Sequence, residues 1–235
     1  MVVARNLIVA DPKSPFAEAF RALRTNLQFT SVDRKVKSIL ITSSLPNEGK
    51  STIVKNLSYS VALTGSKVIV IDADLRNSTV HKTFNLSNSR GLTNLLIDEG
   101  DYEAYLNVDN SYSNLHILTS GPIPPNPAEL LGSNRMKKLL SSIQENYDYV
   151  FIDSPPVVTV TDAVVLAPVV DGVILVIQAG KTEIGAVSRA KEILESVKAN
   201  ILGVVLNRVK ESHGGYYYYY YYDDNKPQHR KRRKR

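Results

Sequence analysis

The chain has 235 residues, 43% of them hydrophobic, enough for one buried α/β core; it has no cysteine, which excludes disulfides and thiolate metal sites and fits a reducing compartment. The formal net charge is +6, but Arg230 to Arg235 are all basic and account for the whole of it, so the body is near neutral and the basicity belongs to the tail. Met1 to Lys13 is too mixed for a signal peptide, and the most apolar stretch, Ala163 to Ile177, is broken by Pro168 and Asp171-Gly172, short of the roughly 20 apolar residues of a membrane helix.

In chain order, Ser14 to Gln28 has helical period, with Ser14 as N-cap and Pro15 at the first helical position. Val36 to Thr42 reads as a strand, followed by a polar loop and a helix from Lys50 to Leu63. Val68 to Ile71 and Leu115 to Leu118 are further strands, and Gly121 to Pro127 is a stiff, proline-rich loop. A helix over Asn134 to Glu145 precedes a strand over Tyr149 to Ile152; Gly172 to Ile177 and Ile201 to Leu206 are strands joined by a helix over Glu183 to Lys198. Short β-branched runs alternating with helices predict an α/β fold: a mostly parallel sheet with helices on both faces. We expect one domain over residues 1–210 and a disordered tail over 211–235.

Three segments carry chemistry. Ser43-Ser44-Leu45-Pro46-Asn47-Glu48-Gly49-Lys50-Ser51-Thr52 sits between a strand and a helix, the context of a phosphate-binding loop, with Ser44 in place of the first glycine of G-x4-G-K-[ST]. Its N–H groups would cradle phosphates, Lys50 would reach the β and γ oxygens, and Ser51 would bind Mg²⁺. Val68-Ile69-Val70-Ile71-Asp72-Ala73-Asp74 ends a strand with two carboxylates which, in extended geometry, would face the same way. Tyr149-Val150-Phe151-Ile152-Asp153 ends another strand in a carboxylate, and the carboxyl ends of parallel strands are where ligands bind. Asp72 is the expected acceptor of a hydroxyl proton, Asp74 the alternative; Asp74, Asp153 and Ser51 are the expected magnesium ligands.

The tail after Gly214-Gly215 holds consecutive tyrosines, Tyr216, Tyr217, Tyr218, Tyr219, Tyr220, Tyr221 and Tyr222, before Asp223 and Pro227. A run without alternation beside a nucleotide site suggests phosphoacceptors rather than a core strand.

Together these segments resemble the P-loop bacterial tyrosine kinases, in the separate form used with polysaccharide co-polymerase membrane proteins. They are similar to that family's Walker A, Walker A′ (Asp72, Asp74) and Walker B (Asp153) motifs. The resemblance implies a MinD/ParA-like P-loop sheet and Mg-ATP bound by Ser44, Asn47, Glu48, Gly49, Lys50, Ser51 and Thr52, with Asn207 near the adenine. It implies autophosphorylation of the tyrosine cluster in trans and control of capsule or exopolysaccharide synthesis and export. Glu18-Ala19-Phe20-Arg21-Ala22-Leu23-Arg24 matches the family's E-x2-R-x2-R helix, which implies that Glu18, Arg21 and Arg24 bridge subunits of a ring. The implied partners are a membrane activator, which would recruit the cytoplasmic kinase to the inner face of the membrane, and a phosphotyrosine phosphatase. The alternative is a ParA- or MinD-type ATPase that binds DNA or membrane, but those loops carry a lysine at the position of Leu45, and nucleic acid is the disfavoured partner.

Overall fold

The structure, a computed structural model, describes residues 11–30, 36–98 and 100–209. The expected boundary at residue 210, the tyrosine cluster and the basic terminus lie outside the described residues.

Helix α1 (Pro15–Phe29) starts where the sequence expects, because the Ser14 hydroxyl accepts from the Ala17 N–H at 3.2 Å and Pro15 needs no partner for a missing N–H. Strand β1 (Ser38–Ser43) leads through the phosphate loop into α2 (Lys50–Ala62) and β2 (Val68–Asp72). Then come α3 (Val80–Phe84), α4 (Leu92–Asp98), a 3-10 turn over Tyr102–Tyr105, and strands β3 (Asn107–Val108) and β4 (Leu115–Leu118). The chain continues through α5 (Pro127–Leu131), α6 (Asn134–Asn146), β5 (Tyr149–Asp153), α7 (Asp162–Leu166), β6 (Gly172–Gln178), α8 (Ile184–Ser196) and β7 (Ile201–Asn207).

All six expected strands are present. The first begins two residues late because the N–H groups of Lys37 and Ser38 both go to the Asp171 carboxylate, at 3.0 and 2.8 Å. The short helices α3, α4, α5 and α7 were not expected from the sequence; five to seven residues are too few to display a helical period.

The seven strands run in the order β3-β4-β2-β5-β1-β6-β7, all parallel except β3, which pairs antiparallel with β4. One face packs Ile39, Ile41, Val70 and Phe151 under Phe20 and Leu27 of α1 and Ile53 and Leu57 of α2. The other packs Leu40, Ile71, Ile152 and Leu175 under Leu140 and Ile143 of α6 and Ala190 and Leu194 of α8. The central strands β1, β2 and β5 are therefore apolar on both faces, and the first polar groups the chain can place are at their carboxyl ends. Among the described residues, no helix is long and apolar enough to cross a membrane.

Candidate active site

A cavity of about 420 Å³ opens beyond the carboxyl ends of the central strands, with Gly49, Lys50, Ser51, Thr52, Asp74 and Arg76 on its wall. Asn47 lies on the same wall, so most of the predicted loop converges there. The loop reaches this shape through two left-handed residues, Asn47 at φ 64° and Gly49 at φ 96°. The first-turn N–H groups of α2 then point toward the cavity end of the helix without partners in that helix, an anion site made by backbone alone.

Two predicted loop residues do something else. Glu48 is buried; its carboxylate accepts from the Leu45 N–H at 2.8 Å and from the Thr182 hydroxyl, which ties the loop to the start of α8. Ser44 is fully buried away from the cavity wall, its hydroxyl without a hydrogen-bond partner. Asn207, expected near adenine, donates its amide to the Glu48 carbonyl at 2.8 Å.

The two carboxylates of β2 separate. The strand ends at Asp72, so the alternation that would have aligned Asp74 with it does not extend that far. Asp72 is fully buried, its oxygens accepting from the N–H groups of Asp74 and Val80, both at 3.2 Å. Burial, with Asp153 and Asp74 as negative neighbours, pushes its carboxyl well above the usual carboxylate range. Asp74 reaches the cavity and accepts from the Asn77 N–H at 3.0 Å; burial raises it, while that hydrogen bond and the Lys50 charge pull it back.

Asp153 pairs with Asp72 in the β2/β5 register, and burial pushes its carboxyl up to about 7 against the opposing pull of the Ser51 hydroxyl and the Lys50 charge. The Ser51 hydroxyl donates to Asp153 Oδ2 at 2.5 Å and accepts from Thr79 at 2.7 Å. Asp153 Oδ1 is buried and has no hydrogen-bond partner. An orphaned carboxylate oxygen beside a serine hydroxyl fits a hard cation.

Residues the sequence reading did not assign complete the cavity. Arg76 lies on the wall and donates through Nε to both oxygens of the fully buried Asp162, at 3.0 and 3.1 Å. Thr79, Pro155, Pro156 and Arg208 also line it. Arg76, Pro155, Pro156 and Arg208 had a visible signal, their places just after Asp74, Asp153 and Asn207; Asp162 lies 86 residues from Arg76 and no spacing joins them.

On α1, the Arg21 guanidinium bonds Glu18 at 2.5 and 2.8 Å and the Pro12 carbonyl at 2.7 Å. Arg24 turns inward to the Ser60 carbonyl on α2, at 2.6 Å. The expected charged stripe is thus partly engaged within the subunit.

The family described as AAA domain matches residues 36–203. The chain is 48% identical over 214 residues to tyrosine-protein kinase YwqD of Bacillus subtilis, covering 90% of each. Its fold is similar to that of the chimerical protein CapA2B2, at a TM-score of 0.83 and 42% identity over 88% of this chain and 91% of that one. The kinase domain of the Escherichia coli tyrosine kinase Etk superposes at a TM-score of 0.81 and 33% identity, covering 88% of this chain and 83% of that one. With the phosphate loop, the strand-end aspartates and a tyrosine-protein kinase matching along nine-tenths of its length, the chain belongs to the P-loop bacterial tyrosine kinases.

Proposed function

We propose that this tyrosine kinase phosphorylates its own C-terminal cluster, Tyr216 to Tyr222, between neighbouring subunits of a homo-oligomeric ring, and so regulates capsule or exopolysaccharide synthesis and export. The observation that carries this reading is the position of Arg208. It follows directly on β7, which runs parallel to β6, and it lines the nucleotide cavity. The chain therefore leaves the described fold at the mouth of the site. From Val209 the seven residues to Tyr216 reach at most about 25 Å, which favours this subunit's site or an adjoining one over a remote partner.

The geometry supports the following roles. Loop N–H groups and Lys50 bind and orient the β- and γ-phosphates of ATP. Ser51 and Asp153 would hold magnesium, which when bound neutralises phosphate charge, leaving the Asp74 carboxylate free to take a proton. A tyrosine hydroxyl, with a pKa of about 10, needs a proton acceptor as it attacks. Asp72 is sealed behind the cavity wall and its carboxyl is held well above the usual range, so Asp74 rather than Asp72 takes this role. The phenolic oxygen bonds the γ-phosphorus, the bond to the β–γ bridging oxygen breaks, ADP leaves, and the phenolic proton passes to Asp74.

Each phosphate adds about −1.5 to −2 charges, so full modification would place on the order of −10 to −14 on the tract. Crowding such tails on one face of a ring would drive subunits apart, making the unphosphorylated ring the larger species. A membrane activator would recruit the kinase to the inner membrane face and a phosphotyrosine phosphatase would reset it. The test is to mix a Lys50→Ala chain with the intact chain and Mg-ATP, then read the Lys50→Ala tail by mass spectrometry. Phosphotyrosine there supports transfer between subunits; a Lys50→Ala tail left unmodified refutes it.

A further inference from the structure

We propose that Arg76, held by Asp162, is a phosphate-contacting arginine supplied by the chain to its own cavity, where it stabilises the γ-phosphoryl group as it leaves ADP.

Asp162 is the first residue of α7, fully buried, and its carboxylate receives both of its hydrogen bonds from Arg76 Nε. A carboxylate with no access to water needs a partner charge, and the one it has is a side chain that remains 42% exposed on the wall of the nucleotide cavity. A fully buried anion tied to a half-exposed cation is a poor stabilising device, because the arginine could be solvated without it. It is a good positioning device. Anchoring Nε to both carboxylate oxygens holds the head of the side chain in place, and Nη1 and Nη2 make no hydrogen bond to any described residue, so they are the polar edge the side chain offers to the cavity.

The charge balance of the cavity points to what that edge meets. Asp74 lies on the cavity wall while Asp72 and Asp153 are buried, so the positive charge offered to a nucleotide's phosphates comes from the cations of the lining. The cations lining the cavity are Lys50, Arg76 and Arg208, and Arg208 is engaged with Gln178 at 3.0 Å. Lys50, at the start of α2, serves the bound phosphates. Arg76 follows Asp74 by two residues and lines the same cavity as Asp74 and the phosphate loop. Fixed N–H donors aimed where charge develops act mainly in the transition state, and a planar fork matches phosphoryl oxygens in a way an ammonium does not. Asp162 acts only through Arg76 and is a positioning residue.

The full-length chain tests this with four readouts: melting temperature, ATP affinity, kcat for phosphotyrosine formation, and residual ADP release once the tyrosines are saturated. In Arg76→Met/Asp162→Asn both charges are removed together, so no buried anion is stranded and the fold is kept. We expect its kcat to fall about 100-fold or more, with ATP affinity within about threefold of wild type. Arg76→Lys keeps the charge but loses the fork and should recover little; Asp162→Asn should lower kcat about 10-fold with ATP affinity unchanged. ADP release should fall with phosphotyrosine formation, since both pass through the same phosphoryl group. Unchanged kcat in the double variant, wild-type turnover in Arg76→Lys, or loss of ATP affinity alone would each overturn the assignment. So would loss of phosphotyrosine formation with ADP release intact, which would place the arginine on the tyrosine's phosphate instead.

Discussion

The Cβ that Gly49 lacks would lie 2.1 Å from Nδ2 of Asn207, and the same amide donates to the Glu48 carbonyl at 2.8 Å. The end of the last strand is thus pressed against the phosphate loop, and glycine is needed twice there, for space and for its φ of 96°. Gly49→Ala should lose about 1–2 kcal/mol to the left-handed backbone alone and more to the clash, with loss of nucleotide binding. Adding Asn207→Ala removes the clash but not the backbone strain. Melting curves and nucleotide titration should therefore show partial recovery in the double variant, and full recovery would show that strain has no part.

Asp74 and Asp72 separate by access. Asp74→Asn should lower phosphotyrosine formation by a factor of about 10² to 10⁴ while ATP still binds, as expected for loss of a proton acceptor. Asp72→Asn should act mainly on stability, because its oxygens hold the N–H groups of Asp74 and Val80 rather than a ligand. Single-turnover kinetics beside thermal melts distinguish them. The assignment fails if Asp74→Asn turns over normally.

Stability of the nucleotide-free protein should fall as pH rises. Asp153 is raised to about 7 in the fold against an ordinary value near 4, so its contribution is fully present below pH 4 and is lost progressively up to about pH 7. A shift of that size corresponds to something on the order of 2–4 kcal/mol. Denaturant titrations from pH 4.5 to 8 should show a shallower slope for Asp153→Asn than for the parent chain. Parallel slopes would contradict the burial argument.

The charges of α1 should behave unequally. Arg24 reaches the Ser60 carbonyl on α2 at 2.6 Å, so Arg24→Ala should cost the isolated subunit about 1–2 kcal/mol. The exposed Glu18–Arg21 pair should contribute less than about 1 kcal/mol to the subunit. If Glu18→Ala nevertheless breaks up the assembly in light scattering while leaving the melting temperature unchanged, Glu18 serves the ring; if assembly survives, it serves only the helix.

The sequence by itself determined the local features. The two-sided apolar runs of β1, β2 and β5 require a sheet covered on both faces, and the Glu48-Gly49-Lys50-Ser51-Thr52 turn between strand and helix marks the phosphate loop, because both depend on neighbours along the chain. It did not decide which carboxylate meets the cavity. Asp72 and Asp74 are two residues apart either way, and only the end of β2 at Asp72 seals one away and leaves the other on the cavity wall. Nor did it join Arg76 to Asp162, turn Arg24 inward to Ser60, or press Asn207 against Gly49. Those pairs are 36 to 158 residues apart, and their meeting is set by the order in which parallel strands and crossover helices stack, a non-local free energy that no residue spacing records.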